Sequence, residues 1–302
     1  MEVVATGLVF PEGPVALPNG DVLVVEVLGG RLSRVSPDGK VTTVAEVGGG
    51  PNGAAIGPDG RCYICNNGGM VHVDLGNGMS MAHEAPFDTP PGKIQVVDLD
   101  TGAFETLYDH CEETPFWGPN DIVFDTHGGF WFTDFGRDRG RIRQKGSVYY
   151  AKADGSMIRE VIPGLDGANG IGLSPDGNTL YVAETYGSHV WGFKVKAPGE
   201  IEPGTSMHPG GGDLVGRAGP GQFLDSLAVD GSGRICVASP GGSAVLAFAP
   251  EGGAVEVVSF PDLMTTNICF GGPDLRTAYV TQSMSGRLVK VDWPVPGLKL
   301  AY

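Results

Sequence analysis

The sequence lacks the features that mark several classes of protein. Helical periodicity is absent, and the longest apolar stretch, at residues 22–28, contains Glu26 and is too short to cross a bilayer. Basic residues are scarce, since 20 lysines and arginines stand against 35 aspartates and glutamates, for a net charge of −15. That negative field repels phosphate backbones and anionic headgroups. We therefore expect neither a nucleic acid nor a membrane as a partner.

Signals for secretion and for disulfide bonding are also missing. Met1 runs directly into an apolar, strand-like segment, without the basic region and long apolar core of a leader. The five cysteines include one isolated C-x-x-C, Cys62 and Cys65, with neither a second pair nor a helix start after it. Reduced cysteines packed in a strand fit this pattern better than zinc or redox chemistry. The chain is expected to be cytoplasmic.

Turn residues and apolar residues are abundant instead. The chain has 50 glycines and 23 prolines, yet hydrophobic residues make up 41% of it, a combination typical of all-β proteins. Six segments repeat one pattern, in which a polar residue precedes an apolar run, a turn and a second apolar run. They begin at Pro11, Pro51, Pro119, Ala168, Leu224 and Thr266. The turn contains a glycine at the same position in every segment except the last, where Leu275 stands.

Each segment predicts a β-hairpin, because a D-G, N-G or G-G turn between two strand-like runs is a strong hairpin signal. A second strand pair follows most of the segments, and two hairpins make the four antiparallel strands of one propeller blade. The segments are about 51 residues apart on average, a spacing typical of propeller repeats. We predict an all-β, six-bladed β-propeller that forms a single domain over residues 1–302. The longest spacing contains an irregular stretch, at about residues 76–92, which we interpret as a loop inserted within blade 2 or 3.

The polar residue that opens each repeat is predicted to form a ring at one mouth of the central channel. The six ring residues are Glu12, Asn52, Asn120, Asn169, Asp225 and Asn267. A second, mostly polar circle follows at the ends of the second strands, with Glu26, Asn66, Asp134, Ala183 beside Glu184, Ser239 and Thr281. Buried carboxylates and amides are costly unless they are paired, hydrogen-bonded or bound to a metal. An oxygen-rich, acidic ring without a lysine or arginine therefore predicts one divalent cation.

Calcium fits these ligands best, and zinc, manganese and magnesium are the alternatives. Asparagine and aspartate also open strands and turns for purely structural reasons. Six such residues in register favour a functional site, because an apolar or hydroxyl residue would serve a turn equally well. The carboxylates Glu12 and Asp225 also break the symmetry of the ring, which a structural repeat does not require.

Four motifs resemble the senescence-marker-protein/gluconolactonase/luciferin-regenerating-enzyme-like family. They are Pro-Glu-Gly-Pro at Pro11, Asn-Gly-Ile-Gly-Leu-Ser-Pro-Asp-Gly at Asn169, Leu-Asp-Ser at Leu224 and PNDIVFDTHGGFWFTDF from Pro119. The last is especially similar to the drug-responsive lactonase branch of the family. The resemblance covers nearly the whole chain, and it implies a six-bladed propeller with a central metal that hydrolyses lactones or related esters.

The resemblance also implies roles for individual residues. Glu12, Asn169 and Asp225 match the metal ligands, and Asn120 matches an asparagine at the metal that also meets the substrate. Asp225 matches the general base, and Asp121 and Ser226 match accessory positions, of which Asp121 is expected to assist catalysis with Asn120. By ring symmetry alone, Asn52 is expected to bind substrate and Asn267 to be accessory.

The expected substrate is less polar than a sugar lactone. Gly118 stands where sugar-lactone members carry an arginine, and Phe116 and Trp117 precede it. The loss of a guanidinium and the gain of aromatic surface suggest that Phe116 and Trp117 bind substrate. Packing of the loop explains these two residues equally well.

The sequence thus predicts a metal-dependent hydrolase that opens a lactone with metal-activated water and with Asp225 as general base. The chain has no G-x-S-x-G or HExxH motif that would favour another hydrolytic mechanism. The alternatives are a promiscuous esterase or phosphotriesterase on the same site, and a non-catalytic calcium-binding propeller. A small-molecule lactone or ester is the expected partner of a monomer or small homo-oligomer. His83 and His110 are candidates for proton transfer, although a surface role is the simpler interpretation.

Overall fold

The computed structural model describes residues 1–83, 89–139 and 141–302. Six antiparallel sheets form a ring, so the predicted class, an all-β six-bladed propeller, is confirmed. The helical content of the described residues is one 3-10 turn, Pro209–Gly211. This part of the chain has no helix that is long and apolar enough to span a membrane. The assignment of residues 1–302 to a single domain stays a prediction.

Strands are numbered in chain order, and β1 (Glu2–Thr6) precedes the first blade. Blade 1 consists of β2 (Pro11–Ala16), β3 (Val22–Glu26), β4 (Arg31–Val35) and β5 (Val41–Ala45). Blade 2 starts with β6 (Pro51–Ile56) and β7 (Cys62–Asn66). An extra hairpin follows, formed by β8 (Val71–Gly76) and β9 (Met79–His83). The blade then ends with β10 (Lys93–Val97) and β11 (Phe104–Tyr108).

Blade 3 is preceded by a short pair, β12 (His110–Cys111) and β13 (Thr114–Pro115). Its inner strands are β14 (Pro119–Phe124) and β15 (Gly129–Asp134). A second short pair follows, β16 (Asp138–Arg139) and β17 (Ile142–Arg143). Its outer strands are β18 (Gly146–Lys152) and β19 (Ile158–Leu165). Blade 4 consists of β20 (Ala168–Leu173), β21 (Thr179–Glu184), β22 (His189–Ala197) and β23 (Glu200–Ile201), with β24 (Asp213–Arg217) also paired to β22.

Blade 5 consists of β25 (Leu227–Val229), β26 (Ile235–Ser239), β27 (Ala244–Phe248) and β28 (Glu256–Ser259). Blade 6 takes β29 (Thr265–Gly271), β30 (Thr277–Gln282) and β31 (Arg287–Asp292) from the end of the chain. Its fourth strand is β1, which pairs antiparallel with β31. The first strand of the chain thereby completes the last blade and closes the ring.

The turn glycines of the repeat have the backbone conformation that the hairpins need. Gly20, Gly60, Gly128, Gly177 and Gly233 all have φ between 71° and 90°, a region that only glycine occupies without strain. Leu275, at the same place in blade 6, has φ 58°. The last hairpin therefore keeps the turn geometry of the others with a residue that disfavours it.

Six hydrophobic clusters fill the spaces between neighbouring blades, one for each junction. The junction of blades 2 and 3 is rich in aromatic rings, among them Tyr63, Phe130 and Phe132, all fully buried. Alternating side chains of each strand supply these clusters, since each sheet is covered on both faces by its neighbours.

The insertion predicted at 76–92 lies in blade 2, between β7 and β10. Its description as a loop is wrong for residues 76–83, because they belong to the β8–β9 hairpin. Residues 84–88 lie outside the described part of the chain. The hairpin therefore begins before the stretch that looks irregular in the sequence.

The C-terminal segment lies across the end of the channel opposite to the ring residues. Gly231 N donates to Pro296 O at 2.7 Å, and Leu298 N donates to Val229 O at 3.0 Å. Tyr302 packs edge-on against Phe124, with ring centroids 5.7 Å apart. These contacts join the tail to the ends of inner strands in blades 3 and 5, so the tail spans this end of the channel.

Candidate metal centre

The inner strands share a distortion at the ring residues. In blades 1 to 4 and 6, the pairing of the first strand with the second shifts register at this point. In blade 5, β25 begins only at Leu227, after Asp225. A bulge changes the direction of side chains relative to the regular alternation of a strand. The repeated distortion thus sets the ring residues apart from those that pack between the blades.

Glycines after the ring residues let the inner strands approach each other closely. A Cβ added to Gly13, Gly53 or Gly170 would clash with the carbonyl oxygen of the ring residue in the next blade. In blades 3 and 5, the equivalent positions carry Asp121 and Ser226. The channel is therefore narrow at the ring, and two of its blades add a polar side chain there.

Glu12 is buried in the ring, with 3% of its surface exposed. Its Oε2 accepts hydrogen bonds from Gly13 N at 3.0 Å and from Asn267 Nδ2 at 2.8 Å. Burial raises the pKa of Glu12 above its ordinary value, against the effect of these hydrogen bonds. The structure thus brings Asn267 into contact with Glu12, as an orienting group for the carboxylate.

Asn169, Asp225 and Ser226 form a second contact group. The Asn169 side chain donates to the Asp225 carboxylate, and Asn169 Nδ2 also donates to Thr185 Oγ1 at 3.1 Å. Ser226 Oγ makes a long contact of 3.5 Å with Asn169 Oδ1, and Ser226 N donates to Asp225 Oδ1 at 3.1 Å. Burial, together with the charges of Glu12 and Asp121, raises the pKa of Asp225 well above its usual range.

Asp121 joins the inner strands of three blades. Its carboxylate accepts from Ile122 N at 2.9 Å and from Ile171 N at 3.3 Å, and it also accepts from the backbone of Leu227. Burial, and more weakly the charge of Glu12, raises the pKa of Asp121 to about 7. Its contacts to backbone amides of blades 3, 4 and 5 are those of a residue that positions the ring.

The donor set at the ring fits a divalent cation in two respects. No lysine or arginine of the described residues forms an ion pair with Glu12, Asp121 or Asp225, although the three carboxylates repel one another. Asn120 Oδ1 is buried and has no hydrogen-bond partner in this part of the chain. A buried oxygen of this kind is costly unless a ligand satisfies it. The described residues contain no cluster of three or more His, Cys, Asp or Glu side chains that could hold a metal, so an ion would also need the amide oxygens.

The outer circle has a different role. Four of its members accept hydrogen bonds from backbone N–H groups of the segments that lead into the inner strands: Val9 to Glu26 at 2.7 Å, Gly50 to Asn66 at 3.0 Å, Gly118 to Asp134 at 2.8 Å and Asp166 to Glu184 at 2.7 Å. Ser239 Oγ, in blade 5, instead donates to Phe223 O at 2.8 Å. In blade 4 the acceptor is Glu184 and not Ala183. These residues hold the connections in front of the ring, and their oxygens are satisfied by the protein.

The placement of Phe116 does not agree with a substrate contact. Phe116 is fully buried between blades 2 and 3, where it packs against Phe132 and Tyr149 with centroids 5.4 and 5.3 Å away. Packing of the loop, the alternative open in the sequence, accounts for it. Trp117 is only partly buried, and Arg137 Cζ lies 5.7 Å from the centroid of its ring.

Asn52 and Asp225 are the only two ring residues that are not fully buried. They belong to blades 2 and 5, which lie opposite each other in a ring of six. A substrate or a water molecule at the channel mouth could therefore contact the exposed surface of these two residues. His83 and His110 are both exposed.

Arg137 and Thr185 are two residues at this mouth whose structural roles sequence reasoning did not identify; for Arg137 it favoured a solvated loop over contact with a substrate carboxylate. Arg137 is buried and donates to the carbonyl oxygens of Thr89 at 3.0 Å and Trp117 at 2.9 Å. It ties the connections of blades 2 and 3 together. The sequence offers no signal for this role, because Arg137 is the first of four alternating arginines that resemble a solvated loop.

Comparisons with known proteins agree with this fold. The model of the SMP-30/Gluconolactonase/LRE-like region matches residues 10–284. A protein named lactonase drp35 from Staphylococcus saprophyticus is 31% identical over 256 residues, which are 80% of this chain and 67% of that protein. A gluconolactonase from Zymomonas mobilis is 25% identical, over 90% of this chain and 76% of that one.

Solved structures show the same architecture. A calcium-binding protein, regucalcin, from Agrobacterium tumefaciens superposes with a TM-score of 0.76 at 20% identity, covering 99% of this chain and 97% of that one. With the match of the family model over most of its length, the chain belongs to the SMP-30/gluconolactonase/LRE-like family.

Proposed function

We propose that the chain is a lactone hydrolase in which Glu12, Asn120, Asn169 and Asp225 hold one divalent cation, with calcium favoured by the oxygen ligands. The observation that carries the proposal is the oxygen set at the ring. Within the described residues, the carboxylates of Glu12, Asp225 and the adjacent Asp121 have no cationic partner, and Asn120 Oδ1 has no hydrogen bond. The relatives named lactonase and gluconolactonase supply the reaction class. When bound, such an ion would supply Lewis-acid chemistry at an ester carbonyl.

Asp225 is the residue best suited to act as general base. It is only half-buried, so its carboxylate can meet a water molecule, whereas Glu12 is buried behind Asn267. The hydrogen bonds from Asn169 and Ser226 N fix its orientation. Asp225 would take one proton from the water, whose oxygen forms a bond to the lactone carbonyl carbon; the ring C–O bond then breaks, and the alkoxide takes up the proton held by Asp225 to give a hydroxy acid.

The other ring residues would support this step. Asn52 lies across the channel from Asp225, where its amide can bind the far side of the substrate, and Asn120 can orient the ester group. Asp121 keeps the inner strands of blades 3, 4 and 5 in place through their backbone amides. Asn267 orients Glu12.

The test combines chelation with the variant Asp225→Asn. We expect hydrolysis of a lactone panel to be lost on chelation, restored by calcium, and reduced about 10²- to 10⁴-fold by Asp225→Asn, the range of a general base. The matched control is Asp176→Asn, an exposed aspartate in the hairpin turn of blade 4, at the far end of that blade. Hydrolysis that survives complete chelation would contradict the metal requirement. Calcium binding without turnover of any lactone or ester would contradict catalysis and support a calcium-binding propeller.

A further inference from the structure

The β8–β9 hairpin crosses the mouth of the channel from blade 2 to blade 6. It leaves β7 at the end of the propeller that carries the ring residues, and Ser80 N donates to Met284 O, in the loop after β30, at 2.8 Å. Blade 1 packs between blades 2 and 6, so a segment that joins their ends passes above blade 1, whose inner strand carries Glu12. The hydrogen bond to Met284 shows that the hairpin reaches blade 6.

The two faces of the hairpin differ in polarity. Side chains alternate along each strand, and the register pairs Val73 with Met81 and His72 with Ala82. On one face, His72 Nε2 lies 2.9 Å from Ser80 Oγ. The other face carries the apolar side chains Val71, Val73, Met79 and Met81, with His83 at its end opposite Val71. We refer to this second set as the apolar face of the hairpin.

The apolar face is partly open. Val71 and Val73 are 39% and 37% exposed. A two-stranded hairpin is marginally stable in water, and exposed apolar surface on it adds a cost. Contiguous apolar surface on a folded protein commonly marks a site of binding. The position of this face at the channel mouth makes a molecule entering the channel the natural occupant.

Apolar surface continues around the mouth on blades 5 and 6. Phe223, two residues before Asp225, is 45% exposed, and Leu263, in the connection to β29, is 49% exposed. Gly241 N donates to Leu263 O at 2.9 Å, and a Cβ on Gly241 would lie 3.7 Å from the ring of Phe223, so these connections touch. Aliphatic and aromatic side chains from the hairpin and from blades 5 and 6 therefore lie around the mouth.

We propose that the apolar face of the hairpin contacts the substituent of a lactone whose ester group lies at the ring. The inference rests on the proposed function and assigns its substrate class, lactones with an apolar alkyl or aryl substituent. The ring offers oxygen acceptors and amides to the ester, while a substituent that extends out of the mouth meets Val73 and Met81. Methionine side chains adapt to groups of different shape. Val73 and Met81 are therefore specificity-determining residues.

The test compares γ-lactones that carry unbranched alkyl groups from methyl to octyl. In the wild type, kcat/KM should rise with chain length, by up to about fourfold per added methylene that becomes buried. The double variant Val73→Ser/Met81→Ser changes one cross-strand pair of the apolar face. We expect it to reduce the advantage of the octyl over the methyl lactone at least tenfold.

Ala82→Ser, on the opposite face of the same hairpin, is the matched control, and it should keep the dependence of the wild type. Thermal unfolding of all variants reports whether the propeller is intact. An unchanged dependence on chain length in Val73→Ser/Met81→Ser would overturn the proposal, and so would a wild type without such dependence.

A binding measurement separates this inference from the proposed function. 2-Alkylcyclopentanones carry the carbonyl and the alkyl group but no ester bond, so calorimetry with them does not depend on hydrolysis. Tighter binding of longer chains by the wild type, lost in the double variant, would support the role of the hairpin even if no lactone is hydrolysed. Equal affinity for short and long chains would overturn it. Formation of dimers that only the double variant abolishes would identify a second copy of the chain as the occupant and would also overturn it.

Discussion

Two circles of polar residues lie at the same mouth of the propeller, and hydrogen bonding separates them. In the outer circle, Glu26, Asn66, Asp134 and Glu184 each accept a backbone N–H from the connection that leads into the inner strand. In the inner circle, burial and the charge of Glu12 raise the pKa of Asp121 and Asp225, and Asn120 Oδ1 has no hydrogen-bond partner among the described residues. The residue types are the same in both. The candidate site is therefore distinguished by oxygen atoms that lack a hydrogen bond or a cationic partner, and not by the presence of polar residues alone.

The largest effect on stability is expected in the outer circle. Glu26→Ala removes the acceptor of Val9 N and Ser33 Oγ and the partner of Arg31, whose guanidinium binds Glu26 at 2.7 and 2.8 Å. Loss of a buried, paired carboxylate should lower the free energy of unfolding by about 3 kcal/mol. Urea unfolding measures this, with the exposed Asp38→Ala in the same blade as control. If Glu26→Ala lowered the calcium affinity as much as a ring variant does, the outer circle could not be called structural in contrast to a metal-binding inner circle.

The opposite pattern is expected for Glu12→Gln in the inner circle. The amide keeps the shape of the side chain and the contact with Asn267 but removes one of the uncompensated charges. The free energy of unfolding of the metal-free protein should therefore be unchanged or slightly higher. Calcium affinity should fall by roughly 10- to 100-fold, about 1.4 to 2.8 kcal/mol. Calorimetry on the metal-free protein measures both affinities. If Glu12→Gln destabilised the protein as strongly as Glu26→Ala, Glu12 would belong with the structural residues.

The smallest effect expected is a dependence of stability on pH. The pKa of Asp121 in the fold is about 7, above the value of about 3.9 for unfolded aspartate. The folded state therefore binds the proton more tightly, and the free energy of unfolding should fall as the pH rises from 5 to 7, by about 2 kcal/mol. Burial raises the pKa of Glu12 and Asp225 as well, with the same sign. The lowered pKa of Glu26 acts below this window, where its stabilisation is lost as the pH falls.

Saturating calcium should abolish this loss, because the cation favours the ionised carboxylates. Urea unfolding at pH 5 and pH 8, with chelator or with calcium, gives the comparison. A stability of the metal-free protein that rises between these pH values would contradict the assigned charge repulsion.

The blades and the ring could be predicted from the sequence because both repeat. A turn glycine and a polar residue at fixed spacing occur in nearly every blade, and radial symmetry converts that spacing into a circle. Asp225 and Glu12 differ from the asparagines of the ring, which indicated an asymmetric site. Which circle is satisfied by the protein could not be predicted, because the donors to Glu26 and Asp134 are backbone groups whose positions depend on the connections.

Residues outside the repeat were harder to place. The β8–β9 hairpin has a local signal, Asn77–Gly78 between alternating strands, that the irregular residues after it obscured. The sequence around Phe116 does not tell whether its ring packs inward or faces a ligand. The ring packs inward because the junction of blades 2 and 3 provides the aromatic side chains that surround it. The role of Arg137 depends on carbonyl groups contributed by two connections, and no spacing reveals it.

The tail across the far end of the channel has a kinetic consequence. Leu298 and Pro296 are bound to the inner strand end of blade 5, and Tyr302 packs on Phe124 of blade 3, so the tail covers that end of the channel. Under the proposed function, a hydroxy acid formed at the ring would leave by the mouth through which the lactone entered, past the hairpin. The negative charge of the chain would repel its new carboxylate and speed its departure, while a long apolar substituent would delay it. Turnover of the best-bound lactones would then be limited by release, and product would compete with substrate for the same passage.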